Sequence, residues 1–128
     1  MSKIKVGIVE DEMIIALGLI ETLKGIGYEP GKPATNYTEA LKMVAEEKPD
    51  ILLLDIQLSG IRDGIDIATV VRKDYSIPII FVTANTDAAT IARAKEVSPD
   101  AYLVKPFRVK ELSACIELCL SNFSNTKK

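Results

Sequence analysis

Four aliphatic residues in a row, Ile51-Leu52-Leu53-Leu54, followed at once by Asp55, constrain this chain more than any other stretch. An unbroken apolar run this short, opened by Pro49-Asp50, reads as a strand buried on both faces of a sheet. Such strands belong to parallel sheets covered by helices on both sides. Taken alone, Asp55 is an acid opening a turn, as most acids after strands are. A second strand of the same build changes that reading: Lys5-Val6-Gly7-Ile8-Val9 runs straight into Glu10-Asp11-Glu12. Two apolar strands end on acids, and in open α/β sheets the ligand site lies outside the C-terminal strand ends.

The rest of the chain alternates strand and helix. Residues 4–9 form the first strand. A helix over 13–24 follows, with Ile14, Leu17, Ile20 and Leu23 expected on one face and Gly25 and Gly27 ending it. Residues 28–34 contain Pro30 and Pro33, which confines any strand there to a sheet edge. Asn36 or Thr38 can cap a helix through Glu47, with Ala40, Met43 and Val44 inward. After the central strand come a helix over 64–74, a strand over 79–82, an Ala-rich helix over 87–97, a short strand over 101–104 and a closing helix over 108–122. Residues 1–122 are therefore expected to form one α/β unit, an open parallel sheet of five strands with helices on both faces, and residues 123–128 a flexible tail.

Composition narrows the function. At 48% hydrophobic and 27% charged over 128 residues, the chain suits a single globular domain. A net charge of −2 without a basic block argues against direct nucleic-acid binding, and no apolar run is long enough for a membrane span. No signal-peptide core is present, so a cytoplasmic location is expected. The chain has no His, which excludes His-based nucleophile activation and His-ligated zinc. Cys115 and Cys119, four apart on the closing helix, read as small core hydrophobes in a reducing compartment.

The strand ends collect an unusual set. The first strand delivers Glu10 and Asp11, the third Asp55, the fourth Thr83 and the fifth Lys105-Pro106. Singly, each has an ordinary explanation: Thr83 as a β-branched strand residue, Lys105 as a solvated surface Lys. Together, three carboxylates repel and need a cation. A hard-oxygen set without His or Cys suits Mg²⁺, with Lys105 neutralising further charge. Acids, a divalent ion, a Lys and a hydroxyl make a site for handling a phosphoryl group.

On VEDE (Glu10, Asp11), LLLD (Asp55), DG (Asp63, Gly64), VTAN (Thr83, Ala84) and YLVKPF (Tyr102, Lys105, Pro106), the chain resembles the receiver domain of two-component response regulators over nearly its whole length. The resemblance implies a flavodoxin-like sheet of strand order 2-1-3-4-5. It implies that Asp55 takes a phosphoryl group from a sensor histidine kinase or phosphotransfer protein, and that Glu10, Asp11, Asp55 and the Gln57 carbonyl hold Mg²⁺. Lys105 would pair with Asp55 at rest, and Lys105-Pro106 would be cis. Thr83 would swing onto the phosphoryl group and Tyr102 turn inward behind it, relaying the change to a downstream protein target, with homodimerisation on phosphorylation a further option. On this reading the chain is no enzyme beyond catalysing its own phosphorylation and dephosphorylation.

Departures matter as well. Glu10 stands where Asp is common, and its longer arm suggests contact with the ion through water. Ser59-Gly60 stands where many receivers have a Pro, so the contacts of the 58–63 loop are not carried over from the family. Gln57 and Asn85, two positions beyond Asp55 and Thr83, are expected to tune the lifetime of the phosphorylated state. The alternative is a small Mg²⁺-dependent phosphohydrolase with an Asp nucleophile. Such enzymes usually place a second acid two residues on, where this chain has Gln57.

Overall fold

The aliphatic run is the centre of the sheet. A computed structural model describes residues 3–84 and 86–126. The strands are β1 (Lys5–Val9), β2 (Glu29–Pro30), β3 (Ile51–Leu54), β4 (Ile79–Thr83) and β5 (Ala101–Val104). Helices α1 (Met13–Gly25), α2 (Tyr37–Glu47), α3 (Gly64–Asp74), α4 (Ala88–Glu96) and α5 (Val109–Thr126) alternate with them. Every pairing is parallel and the order is β2-β1-β3-β4-β5, as expected. The order reverses between β1 and β3, which opens a crevice at their C-terminal ends.

The period of two along a strand explains why the run is apolar throughout. Ile51 and Leu53 join Val6, Ile8, Ile80 and Val82 in a core with α1 and α5, through Leu23, Leu112, Ile116 and Cys119. Leu52 and Leu54 join Val9, Ile79 and Phe81 in a second core with α2 and α3, through Met43, Val44, Ala68 and Val71. Each full burial of such a side chain contributes roughly 1.5–3 kcal/mol.

The strand among Pro30 and Pro33 lies at the sheet edge, as expected, and is two residues long with one further bridge from Val9 to Ala34. Two expectations are corrected. In α1 the buried residues are Ala16, Leu19 and Leu23, while Ile14 and Leu17 face outward at 87% and 53% exposure. That helix is apolar nearly all round, so spacing alone does not choose a face. The closing helix continues past Asn122 to Thr126; the last two residues of the expected tail lie outside the described residues.

The helix starts are fixed by side chains. Asn36 accepts from the Glu39 N–H at 2.9 Å, and Asp87 caps α4 by accepting from Thr90 N at 2.8 Å. Asp63 and Asp66 form a reciprocal capping box on α3. Gly64, the first residue of α3, lies against the backbone that carries Asp55. A Cβ there would overlap the Asp55 carbonyl and come within 2.8 Å of the Ile56 Cα. Its N–H also donates to the Ile56 carbonyl at 2.8 Å, so the glycine fixes where the β3 acid sits. Among the described residues no helix is long and apolar enough to cross a membrane.

Candidate functional site

The C-terminal ends of β1, β3, β4 and β5 surround a cleft of about 440 Å³ lined by Asp11, Asp55, Gln57, Ser59, Thr83 and Lys105, among others. Its floor is charged and buried. Glu10 is 1% exposed, Asp55 8% and Thr83 1%, and among the described residues they are the buried polar or charged ones. Carboxylate oxygens of Glu10, Asp11 and Asp55 lie within 4.8 Å of one another. The sequence thus brings its three candidate acids together.

Lys105 Nζ donates to Glu10 Oε1 at 2.7 Å and to Asp55 Oδ2 at 3.3 Å. The expected pairing with Asp55 is therefore shared, and Glu10 is the nearer partner because its longer arm reaches the ammonium. The Gln57 N–H donates to Asp55 Oδ1 at 3.2 Å. Burial and the Glu10 charge push the Asp55 carboxyl up to about 6, against the opposing pull of Lys105 and the Gln57 N–H. Burial alone would lower Lys105, but its bond to Glu10 and the Asp55 charge outweigh that and hold it above the ordinary lysine range. The Lys105-Pro106 bond is cis.

The donor set fits a divalent cation. Three carboxylates against one nearby ammonium leave 3 − 1 = 2 negative charges uncompensated once all are ionised. All three are oxygen donors, as Mg²⁺ prefers, and Glu10 and Asp55 are too buried for bulk water to offset their charge.

Thr83 ends β4 on the cleft floor, and the Lys105 N–H donates to its carbonyl at 2.9 Å. Phe81, two residues earlier, points to the same side of β4 and is the register partner of Tyr102. The Tyr102 ring is half-buried and meets Phe81 edge-on, with centroids 6.3 Å apart. Asn85 lies outside the described residues. Glu12 precedes α1 without a side-chain cap and donates its N–H to Glu10 Oε2 at 3.1 Å.

Other contacts were not legible in the sequence. Ser59 donates through both its N–H, at 2.9 Å, and its hydroxyl, at 2.8 Å, to Asp11 Oδ2. Arg93 of α4 forms a two-pronged pair with Asp63, at 2.8 and 3.3 Å, which ties α4 to the loop after Asp55. The unusual Ser59-Gly60 step was the one signal for the first contact; nothing local signals the second, which joins residues thirty apart.

Comparison with known proteins resolves the family. The model of the response regulator receiver domain matches residues 6–117. The chain is a response regulator receiver domain. It is 37% identical over 119 residues to the transcriptional regulatory protein PdtaR of Mycobacterium tuberculosis, covering 93% of this chain and 58% of that one. It is 38% identical over 107 residues to the DNA-binding response regulator MtrA of Mycobacterium leprae, covering 84% of this chain and 47% of that one. Among solved structures, the signal receiver domain of a modulated diguanylate cyclase from Desulfovibrio desulfuricans superposes with a TM-score of 0.92 at 34% identity, covering 98% and 99% of the two chains. A CheY-like receiver domain protein from Methanospirillum hungatei shares the fold, with a TM-score of 0.89 at 24% identity over 98% and 99%.

Membership places the chain in phosphorylation-dependent signalling, in a class that is generally not enzymatic. One expectation falls. The exclusion of nucleic acid among the partners is overturned by relatives named as transcriptional and DNA-binding regulators. The charge reading concerned only these 128 residues, and the chain spans about half the length of those relatives.

Proposed function

We propose that Asp55 accepts a phosphoryl group from the phosphohistidine of a partner histidine kinase in a Mg²⁺-dependent reaction. The change is then relayed through Thr83 and Tyr102 to the face built from α4, β5 and α5. The observation that carries this reading is a buried carboxylate, Asp55, at the floor of a cleft between two further acids and a lysine.

With its carboxyl at about 6, Asp55 is mostly ionised at neutral pH and available as a nucleophile. One of its oxygens attacks phosphorus, an O–P bond forms, and the P–N bond to the donor imidazole breaks with its electron pair leaving on nitrogen. The Gln57 N–H on Oδ1 fixes the carboxylate plane. Lys105, already 3.3 Å from Oδ2, is placed to follow the charge onto a phosphoryl oxygen. Glu10, Asp11, Asp55 and the Gln57 carbonyl would hold Mg²⁺, which would screen the anionic acceptor from the anionic phosphoryl group. Thr83 contributes its hydroxyl from the cleft floor, and Phe81 connects it to Tyr102 along one side of the sheet.

Acetyl phosphate with Mg²⁺, read by intact mass, tests the assignment. One phosphoryl group should add to the wild type and none to Asp55→Ala. A gain that persists in Asp55→Ala overturns the acceptor. Steady hydrolysis of a phosphomonoester over many equivalents would instead support a phosphohydrolase.

A further inference from the structure

Asp11 is the most exposed of the three acids and the one whose orientation burial does not dictate. It is oriented from across the cleft. Both donors of Ser59, the N–H at 2.9 Å and the hydroxyl at 2.8 Å, end on the same oxygen, Oδ2. The other oxygen of that carboxylate takes neither bond. With both bonds in place, Asp11 still offers a ligand atom within 4.8 Å of those from Glu10 and Asp55. The orientation that Ser59 holds is thus one that can already contribute to a shared cation site.

The loop is shaped for this contact. Gly60, the next residue, has φ of +102°, a backbone region that side-chain-bearing residues rarely enter. That turn follows directly on the residue whose backbone N–H reaches Asp11. A proline in place of Ser59 would supply neither donor.

We infer that Ser59 is a positioning residue for divalent-cation binding, holding Asp11 with one oxygen anchored and the other presented to the ion. The inference rests on the metal site proposed above. Anchoring a ligating carboxylate removes the cost of ordering it when the ion binds. Loss of such an outer partner typically weakens metal affinity about 10–100-fold, and removing the hydroxyl alone while the N–H remains should cost less than that, about 3–10-fold.

Titration calorimetry of the full chain with Mg²⁺ and with Mn²⁺, on wild type, Ser59→Ala, Ser59→Thr and Ser59→Pro, decides it. Ser59→Ala should weaken binding several-fold, Ser59→Pro should weaken it further, and Ser59→Thr should restore it. The metal-free melting temperature of Ser59→Ala should stay at the wild-type value, which separates positioning of the ligand from stapling of the loop. Equal or tighter binding by a folded Ser59→Ala, with the wild type binding normally, overturns the role of Ser59 and leaves the metal site standing. A wild type that binds neither ion overturns both.

Discussion

The two ends of the sheet use the same side chain for opposite purposes. At the N-terminal end, Asp50 and Asp100 each follow a proline and open a strand. Asp50 Oδ2 accepts from the Lys5 N–H at 2.8 Å, and Asp100 Oδ2 accepts from the Ile79 N–H at 2.7 Å and from Arg72 at 2.5 Å. In both cases the acid's own N–H returns a bond to the same neighbouring residue, at 2.8 and 2.9 Å. Each of these acids has its own donors, and each fastens one strand to the next. At the C-terminal end the buried Glu10 and Asp55 share one lysine with Asp11 close beside them, and the charge of the buried pair cannot be offset by water. Acids matched one to one hold the fold together; acids in excess of their partners make a site that a cation or an incoming group completes.

The largest test of this contrast removes the lysine that Glu10 and Asp55 share. Lys105→Met should destabilise the protein by about 2–3 kcal/mol at pH 8 without divalent ions, because it leaves buried charge uncompensated. Urea titration should show most of that loss recovered at pH 5, or on adding Mg²⁺. A loss that neither condition recovers would mean that Lys105 acts through packing instead.

The wild type itself should carry a smaller pH signature. Asp55 has a folded pKa of about 6, above its unfolded value, so its folded state holds the proton more tightly. Its contribution is fully present below pH 4 and is lost as pH rises through about 6, the reverse of a salt-bridged carboxylate. Lys105, also raised, contributes fully until strongly alkaline pH and does not blur that window. In metal-free buffer the difference between wild type and Asp55→Asn should therefore move by about 1–2 kcal/mol between pH 4 and 7, with Asp55→Asn the more stable at pH 7. A flat difference across that range would remove the excess-charge account.

The smallest effects belong to the other end. Asp100→Ala should cost about 1–2 kcal/mol through the unpaired Ile79 N–H and Arg72, and Asp50→Ala about 1 kcal/mol. Both should leave phosphorylation by acetyl phosphate at the wild-type level. Loss of labelling in either variant would show that the two ends are not independent.

What could be read without coordinates followed from short-range rules. Ile51-Leu52-Leu53-Leu54 announced a strand buried on both faces, and Pro30 and Pro33 announced the edge, because period and the missing N–H are local properties. The face of α1 was not readable, since Ile14 and Leu17 are as apolar as Leu19 and Leu23 and only packing chose between them. The partner preference of Lys105 was hidden for a similar reason. A difference of one methylene between Glu10 and an aspartate decides which oxygen reaches the ammonium first, and that depends on where two strand ends stand in space.

By itself the sequence determined the architecture, the family and the identities of the acids at the strand ends, because strand period, turn chemistry and motif order are written along the chain. Only the tertiary structure decided that Glu10 is buried beside Lys105, that Ser59 anchors Asp11 and that Arg93 reaches Asp63. Those contacts join residues dozens of positions apart. They depend on how the helices seat against the sheet, which no local pattern encodes.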